Sequence, residues 1–410
     1  MSEVAQAPQL RFPEFSGEWK EKKLDSVVSK FIVPMRDKPT DLTGSIPWCR
    51  IEDFDGMYLN QSKTGQGVSE ETVKEMNLKV YPINTLLVSC SANLGFCAIV
   101  KKELITNQTF IGLQSNDNLI NIEFLYYLMK LSSRRLNILS SGTTISYLSR
   151  REFENFKITT PSLPEQQKIA AFLTAVDNKI EQLSKKQALL GEYKKGLMQQ
   201  IFSQAIRFKA DDGCDFPDWG EKKLSDLSLS HYQGINTTAD KVEYHKEGFP
   251  IAQAKHITSE FMDFNNIKYV NEATYESYKK KFKPNQNDIL ISNIGTLGKI
   301  VLVENDIDFL VAWNIFKVEL DINKVIPKFL LFSLKLVASR GYFDRMKTGN
   351  ATKFVNKADM LNIQINFPSK LEQKKIANFL SSIDSKIEQV GKQLDESKQF
   401  KKALLQQMFV

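Results

Sequence analysis

One stretch of this sequence occurs twice. Residues 164–202 return as residues 371–409 after a shift of 207 positions. The agreement is closest between Glu165–Gln182 and Glu372–Gln389, where 12 of 18 positions are identical. A duplication of this length requires two similar halves in the fold, because both copies present the same side chains for burial.

Each copy of the stretch predicts one long helix. Its apolar residues recur at steps of three and four, which places them on one helical face. An isolated helix of this length would leave that stripe exposed to water. Two copies can bury it against each other as a coiled coil, and the globular segment between them favours an antiparallel pair. The alternative is that each helix packs on a separate core. The positions expected to face inward, and to form the subunit interface, are Ile169, Phe172, Val176, Ile180, Leu183, Ile376, Phe379, Ile383, Ile387 and Val390.

Polar residues interrupt the far half of both apolar stripes. They are Gln187 and Lys194 in the first copy and Ser397 and Lys401 in the second. We therefore expect this part of the helix pair to pack less well or to contact another protein. The stripe would then serve both the partner helix and a docked subunit.

The repeat extends into the segment before each helix. An aromatic entry motif opens each half, at Trp19–Leu24 and at Trp219–Leu224. Apolar runs that begin at Asn84 and Asn287 then predict two strands joined by a glycine turn. Each half continues with an apolar helix candidate and a small polar loop, which are residues 122–139 and 141–145 in the first half and residues 328–346 and 348–353 in the second.

These landmarks predict an α+β chain with a pseudo-twofold internal repeat. Two similar globular α/β domains are expected to be separated by two long antiparallel helices that form a coiled coil. Residues 36–80 and 231–283 share little sequence, so the two domains combine one frame with different inserts. The expected parts are a domain at residues 1–160, a long helix at 161–205, a second domain at 206–367 and a second long helix at 368–410.

The composition fits a protein that functions in water. The chain has 410 residues, 42% of them hydrophobic, and a formal net charge of +7, which permits a polyanionic partner without requiring one. It has no apolar run long enough to span a membrane and no visible secretory signal. Cys49, Cys90, Cys97 and Cys214 form no Cys-x-x-Cys motif, so we expect free thiols in a cytoplasmic protein.

No motif for catalysis or for a cofactor stands out. Gly295–Lys299 has its glycines too close for a phosphate-binding loop and predicts a turn between strands. His231, His245 and His256 have no metal-ligand spacing. The acidic residues near Pro217 are too close in sequence to converge on a nuclease metal from separate strands. We therefore expect no catalytic site, no metal site and no cofactor site in this chain.

The motifs that open the helices and domains resemble one protein family. Residues 161–170, Pro-Ser-Leu-Pro-Glu-Gln-Gln-Lys-Ile-Ala, and Glu372–Ala377 open the long helices, while Leu10–Phe15 and Asp215–Trp219 open the domains. Ser140–Ile145 precedes the first helix. Together with the repeat, they resemble the specificity subunits of type I restriction–modification enzymes over essentially the whole chain.

The resemblance implies a subunit without catalysis of its own. In that family two target recognition domains each read one half of a bipartite, asymmetric DNA site, and the paired helices dock two modification subunits. The complex methylates adenine with S-adenosylmethionine, and added restriction subunits make it an ATP-dependent nuclease. The implied partners are double-stranded DNA, modification subunits and restriction subunits, with no membrane. S-adenosylmethionine, ATP and Mg²⁺ are expected on the partner subunits.

Candidate DNA contacts lie mostly in the loops of both halves. Small residues let the backbone approach a phosphate, basic residues hold phosphates, and amide or hydroxyl side chains read base edges. Any one of them can equally be an ordinary solvated residue. The candidates are Ser91, Asn93, Arg134, Arg135, Gly142, Thr143, Thr144, Tyr147, Arg150, Lys280, Asn293, Thr296, Gly349, Asn350, Thr352 and Lys353.

A second function is open at the level of the sequence. It is a non-catalytic coiled-coil scaffold without sequence-specific DNA binding. A scaffold accounts for the two helices but not for different inserts within a repeated frame. Salt-dependent binding to duplex DNA would separate the two functions, because phosphate contacts release counterions.

Overall fold

The chain folds as two units, each of which holds a part of both long helices. In the computed structural model of the protein, unit 1 comprises Met1–Lys185 and Gly391–Val410, and unit 2 comprises Lys186–Val390. Both units mix helices and sheets, so the predicted α+β class is confirmed. The structure describes residues 7–34, 38–91, 94–140, 147–258, 261–349 and 352–410.

Within its described residues, the first half of the chain has ten short strands and five α-helices. The strands are β1 (Lys20–Lys23), β2 (Val28–Ile32), β3 (Ile46–Cys49), β4 (Tyr58–Leu59), β5 (Gly67–Val68), β6 (Thr85–Ser89), β7 (Cys97–Val100), β8 (Ile105–Thr106), β9 (Phe110–Ser115) and β10 (Lys157–Thr160). The helices are α1 (Glu70–Glu75), α2 (Ile122–Leu131), α3 (Ser133–Leu139), α4 (Arg150–Glu154) and α5 (Leu163–Phe202).

The central sheet of unit 1 has the strand order β2-β9-β6-β7-β4. Its middle strand β6 is buried on both faces. Leu86 and Val88 pack against α2, while Leu87 points to the other face and packs near Tyr81. This two-sided burial explains why β6 reads as a continuous apolar run rather than an alternating one. A three-stranded sheet, β5-β3-β8, and the pair β1-β10 complete the unit.

The second half of the chain contains nine strands and five helices among its described residues. The strands are β11 (Gly220–Lys223), β12 (Ser228–Gln233), β13 (Phe249–Ala252), β14 (Lys268–Val270), β15 (Ile289–Ile294), β16 (Thr296–Leu302), β17 (Leu310–Val311), β18 (Ile315–Leu320) and β19 (Gln364–Phe367). The helices are α6 (Glu272–Phe282), α7 (Pro327–Ser339), α8 (Tyr342–Met346), α9 (Lys357–Leu361) and α10 (Lys370–Gln407).

Unit 2 repeats most of the strand pairings of unit 1, but among its described residues the parallel pair β4–β7 has no counterpart. Its sheets have the orders β12-β18-β15-β16, β14-β13-β17 and β11-β19. The repetition includes the segments whose sequences do not align. In each unit a small sheet joins two antiparallel strands, β3 and β5 or β13 and β14, and pairs the first of them in parallel with a later strand. The two inserts therefore differ in sequence but share a topology.

The helix candidates at 122–139 and 328–346 are each broken into two helices. The first break is at Ser132, between α2 and α3. The second is at Gly341, which has a φ of 78° and separates α7 from α8. A residue with that φ lies in the left-handed region, which glycine occupies at little cost. The predicted helices are confirmed in place but not in continuity.

The two long helices are continuous, and they pair in opposite directions within each unit. In unit 1, Asp177 in the first half of α5 forms an ion pair with Lys401 near the end of α10. In unit 2, Lys194 near the end of α5 pairs with Asp384 in the first half of α10. The antiparallel pairing predicted from the repeat is therefore confirmed.

A buried glutamate ties each long helix to the entry motif of its unit. Glu165, 1% exposed, accepts hydrogen bonds from Arg11 at 2.8 Å and from the Trp19 ring nitrogen at 3.3 Å. Glu372, 0% exposed, does the same with Arg207 and Trp219. This contact explains why an aromatic entry motif accompanies each copy of the helix.

The glutamine that follows each buried glutamate completes the junction. The Gln166 side chain accepts a hydrogen bond from the Asn121 backbone and donates one to the Pro161 carbonyl. Gln373 makes the same two bonds with Ile326 and Pro368. A single repeated Glu-Gln pair therefore fixes the start of each long helix against its unit.

The cysteines and the hydropathy of the helices can also be compared with the sequence predictions. All four cysteines are free thiols, and Cys49, Cys90 and Cys97 are buried. Burial raises the pKa of the Cys90 thiol to about 11, so it stays protonated at neutral pH. In the part of the chain that the structure describes, no helix has the length and hydropathy to span a membrane.

Candidate nucleic-acid interface

In unit 1, three separate segments meet where strand β6 ends. The backbone of Cys90 donates a hydrogen bond to the Thr109 carbonyl at 2.8 Å, and its carbonyl accepts one from Leu148 at 2.9 Å. Next to it, Ser91 pairs with Tyr147 in an isolated β-bridge. The strand end thus lies between the turn 107–109 and residues 147–148. We call Ser91, the turn 107–109 and Tyr147 the strand-end surface of unit 1.

Unit 2 builds the same junction from the corresponding residues. Asn293 donates a backbone hydrogen bond to the Asn314 carbonyl at 3.4 Å and accepts one from Val355 at 2.9 Å. Ile294 pairs with Phe354 in a β-bridge, as Ser91 does with Tyr147. We call residues 294–296, the turn 312–314 and residues 353–354 the strand-end surface of unit 2.

Both strand-end surfaces expose aromatic side chains on hydrogen-bonded backbone. Tyr147 is 46% exposed, Phe354 is 39% exposed and Trp313 is 47% exposed. The backbone of Phe354 is paired with Ile294 on one side and with Thr348 on the other. Large aromatic groups held in this way at a surface are suited to contacting a partner, because little conformational freedom is lost on binding.

The structure corrects the role predicted for Asn293. This side chain is 2% exposed, so it cannot reach DNA. Its amide exchanges two hydrogen bonds of 2.9 Å with the amide of Gln233 and donates a third to the Val355 carbonyl. Asn293 therefore fixes the loop end to the strand end and supports the surface instead of forming part of it.

Other candidates in unit 2 do lie at the strand-end surface. Thr296 and Lys353 are exposed, and the Lys353 carbonyl accepts a hydrogen bond from the Gly295 backbone at 2.8 Å. Gly349 has a φ of 91°, and a Cβ there would lie 2.3 Å from the Thr352 carbonyl oxygen. Only glycine allows this tight loop, which explains the residue without requiring a phosphate contact.

The basic candidates differ in how far their charges are already engaged. Arg135 donates to the Lys157 carbonyl at 2.7 Å and stacks over Phe156. Arg150 forms an ion pair with Glu154 at 2.6 Å. Arg134 and Lys280 are exposed on α3 and α6. Exposed Arg134 and Lys280 therefore keep their charge more available for a phosphate than Arg135 or Arg150.

Five of the predicted DNA contacts lie outside the described residues, and two exposed residues of the turns were not predicted. Asn93, Gly142, Thr143, Thr144 and Asn350 lie outside the described residues. Conversely, sequence reasoning missed the exposed residues Gln108 and Trp313, which occupy the two turns. The signal that could have found them is the repeat itself, since strands β9 and β18 follow the two turns directly.

The residues predicted to form the subunit interface lie mostly in the chain's own cores. Ile169, Ile376, Ile383 and Val390 are each at most 5% exposed, which leaves them no surface for a partner. The others are half-buried, and most of these pack against the same cores. The half-buried members are Phe172, Val176, Ile180, Leu183, Phe379 and Ile387.

The polar interruptions of the helix stripe are also explained within the chain. Lys194 and Lys401 form the ion pairs with Asp384 and Asp177, and their ammonium groups lie over the rings of Phe332 and Tyr127. The two lysines therefore do not mark poor packing of the helix pair, and docking of a subunit at this segment stays a prediction. Each lysine faces an aspartate of the other long helix. Its alkyl stem can pack in the helix pair while the aspartate neutralises its charge.

The outward faces of the long helices carry a different repeated feature. Tyr193 on α5 is 57% exposed, and Phe400 on α10 is 52% exposed. The two residues are 207 positions apart, so they are equivalent in the repeat. One belongs to unit 2 and the other to unit 1. Each unit therefore presents one exposed aromatic residue at the same place on its helix pair.

The described residues contain no cluster of metal-ligating side chains. No group of three or more His, Cys, Asp or Glu side chains there could hold a metal ion. Burial lowers the pKa of His256, whose Nδ1 accepts a hydrogen bond from the Gln253 backbone at 2.9 Å. Gly295, with a φ of 76°, forms the predicted turn between β15 and β16, whereas Gly298, with a φ of 75°, lies inside β16, where the strand pairing is irregular.

Comparison with known proteins gives one consistent result. The family model described as "Type I restriction modification DNA specificity domain" matches residues 16–190 and 217–396. A specificity subunit of the type I restriction enzyme MjaIX from Methanocaldococcus jannaschii is 29% identical over 62% of this chain and 60% of its own length. The MjaVIII specificity subunit from the same organism is 25% identical over 86% of this chain and 85% of its own length.

A solved structure has the same fold. The crystal structure of a type I restriction–modification system S subunit from M. genitalium superposes with a TM-score of 0.64. The sequences are 18% identical, and the match covers 99% of each chain.

Proposed function

The chain belongs to the type I restriction–modification DNA specificity family, and we propose that it is the DNA sequence-recognition subunit of such a complex. Each unit reads one half of a bipartite, asymmetric DNA site. The helix pair docks two modification subunits and, through them, restriction subunits. The chain thereby directs adenine methylation or cleavage to that site.

One observation carries this proposal. The two units share a topology down to the hydrogen bonds of the strand end, yet they expose different side chains there. Tyr147 corresponds to Phe354, and Gln108 corresponds to Trp313. A scaffold would need the shared frame but gains nothing from different exposed groups at its equivalent surfaces. Two units that read different half-sites need both the shared frame and different exposed side chains.

The DNA contacts follow from the exposed parts of the strand-end surfaces. Tyr147, Thr296, Thr352 and Lys353 are the described candidates that are exposed there, and Ser91 is half-buried beside Tyr147. Hydroxyl groups can bond base edges or phosphates, and the Lys353 ammonium can hold a phosphate. Asn93, Gly142, Thr143, Thr144 and Asn350 lie outside the described residues and stay candidates from the sequence.

The chain is proposed to be non-catalytic. S-adenosylmethionine, ATP and Mg²⁺ are assigned to the partner subunits, because the sequence has no fingerprint for binding S-adenosylmethionine or ATP. The chemical steps would then take place on those subunits. This chain would contribute the choice of DNA sequence and the positions of the docked subunits.

Methylation mapping tests the proposal. The chain is expressed with its modification subunit in a host without adenine methylation, and modified adenines are located across the genome. We expect a single bipartite motif with an unspecified gap of fixed length. A stable complex that methylates no such motif would contradict DNA recognition and would favour the scaffold.

Binding of the purified complex to duplex DNA provides a second readout. Phosphate contacts release counterions, so recognition predicts affinity that falls steeply with salt concentration. A scaffold without a DNA role predicts no binding at any salt concentration. Competition with duplexes that lack the mapped motif then separates sequence-specific from non-specific binding.

A further inference from the structure

Gln108 and Trp313 occupy equivalent turns of the two units. Each turn leads directly into the strand that pairs with the strand end, β9 in unit 1 and β18 in unit 2. Thr109 accepts a hydrogen bond from the Cys90 backbone, and Asn314 accepts the corresponding one from Asn293. The residue one position earlier is Gln108 or Trp313, and both side chains are exposed.

Hydrogen bonds to residues 233–235 and to Ala252 fix the turn that carries Trp313. The Trp313 backbone donates to the Ile235 carbonyl at 2.8 Å, and its own carbonyl accepts a hydrogen bond from the Gln233 side chain. Ala312 donates to the Ala252 carbonyl at 2.7 Å. Trp313 is therefore exposed from a fixed backbone, not from a mobile loop.

A glycine makes this close packing possible. A Cβ at Gly234 would lie 2.2 Å from the Ala312 carbonyl oxygen, so the end of β12 can approach the turn only without a side chain. Gly234 also donates a backbone hydrogen bond to Ile315 at 3.0 Å. The same strand thus supports both sides of the Trp313 turn.

The turn that carries Gln108 is also closed by short-range contacts. The Thr109 hydroxyl donates to the Asn107 side chain at 2.6 Å, and the Cys90 thiol lies 3.8 Å from the Gln108 carbonyl oxygen. The Gln108 amide group itself has no hydrogen-bond partner among the residues that the structure describes. Its donor and acceptor are free for a ligand.

The two side chains suit different bases. A glutamine amide can donate to N7 and accept from N6 of adenine at the same time, which distinguishes adenine from other bases in the major groove. An indole ring offers a large apolar surface, which suits the methyl group of thymine. Two units that read different half-sites are expected to carry chemically different side chains at equivalent positions such as these.

We propose that Gln108 and Trp313 are specificity-determining residues, Gln108 for the half-site read by unit 1 and Trp313 for the half-site read by unit 2. Gln108 reads an adenine, and Trp313 contacts a thymine methyl group. This inference rests on the proposed DNA recognition. It goes beyond it by naming one residue in each unit and the base that each one reads.

The test compares Gln108→Ala and Trp313→Ala in the complex with the modification subunit. Methylation is mapped genome-wide, and the rate on the mapped motif is compared with rates on duplexes changed at single bases. The controls are Asn118→Ala and Ile322→Ala, which alter exposed residues just beyond the opposite ends of β9 and β18. Recovery of the complex and its melting temperature report on folding.

We expect each variant to lose discrimination by about tenfold at one base position, as for the loss of a good base contact. The Gln108 variant should relax one half-site and the Trp313 variant the other, while the controls keep the wild-type motif. Gln108→Glu, which removes the amide donor at nearly constant shape, should weaken the preference for adenine. Trp313→Gln should remove the preference for thymine.

Three outcomes overturn the inference. The first is unchanged discrimination in the variants, and the second is relaxation of the same half-site by both. In either case a wild-type bipartite motif leaves the proposed function intact. The third is a wild-type complex that methylates no motif, which overturns the proposed function and this inference with it.

Discussion

Single buried residues decide how each unit is attached to its long helix. Glu165 and Glu372 are carboxylates with almost no exposed surface, and each is matched by an arginine and a tryptophan from an entry motif. A buried carboxylate is tolerated only when its charge is paired and its oxygens accept hydrogen bonds. The entry motif and the helix start are therefore parts of one structure, although they are more than 140 residues apart in the sequence.

Replacing one of these carboxylates should destabilise its unit. Glu372→Ala removes the acceptor for both Arg207 and Trp219. We expect a loss of about 2 kcal/mol, because hydrogen bonds to a charged group are lost and the ion pair that Arg207 keeps is a 3.6 Å contact with the exposed Asp218. The measurement is urea unfolding followed by tryptophan fluorescence.

The matched control is Glu276→Ala in the same unit. Glu276 forms an ion pair with Lys279 in which both side chains are about half exposed, so its loss should cost less than about 0.5 kcal/mol. Equal effects of the two substitutions would show that the buried contact contributes no more than a surface ion pair.

The role of Asn293 could not be predicted from the sequence, whereas the turn at Gly295 could. A glycine pair between two apolar runs signals a turn from local information alone. Whether an asparagine beside it points outward depends on Gln233 and Val355, which are 60 and 62 residues away. Local patterns locate the surface, but long-range contacts decide which side chains remain exposed on it.

Secondary-structure elements show the same division between local and long-range information. The two long helices follow from periodicity and repetition, since an apolar stripe at steps of three and four is a local signal. The common topology of the inserts does not follow, because β3–β5 and β13–β14 are strands of two to four residues with no shared sequence pattern. Their pairing depends on β8 and β17, which lie far along the chain.

The exposed aromatic residues on the long helices give a prediction at this scale. We expect Tyr193 and Phe400 each to anchor one modification subunit, because exposed aromatic residues are frequent hot spots of protein interfaces. Tyr193→Ser or Phe400→Ser should each weaken one of two binding events by about thirtyfold, which corresponds to about 2 kcal/mol. The double variant should weaken both.

Titration calorimetry and native mass spectrometry measure the affinity and the number of bound subunits. Leu371→Ser is the control, since Leu371 is an exposed apolar residue, 71% accessible, at the start of α10. If the double variant binds two modification subunits as tightly as the wild type, docking takes place elsewhere on the chain.

At the scale of the molecule, the duplication produces two units that share one architecture. Each unit carries a strand-end surface, a buried glutamate junction and one exposed aromatic residue on its helices. The family match covers both units separately, at residues 16–190 and 217–396. The chain is therefore best understood as two recognition modules of one architecture, which differ in the sequences of their inserts and in the side chains exposed at the strand-end surfaces.

A domain exchange tests most directly whether each unit reads its own half-site. Residues 206–367 are replaced by the equivalent segment of another specificity subunit whose motif has already been mapped. Methylation is mapped in the complex with the modification subunit. We predict that one half of the motif is replaced by a half-site of the donor and that the other half is unchanged. A motif that changes in both halves, or in neither, would contradict independent reading by the two units.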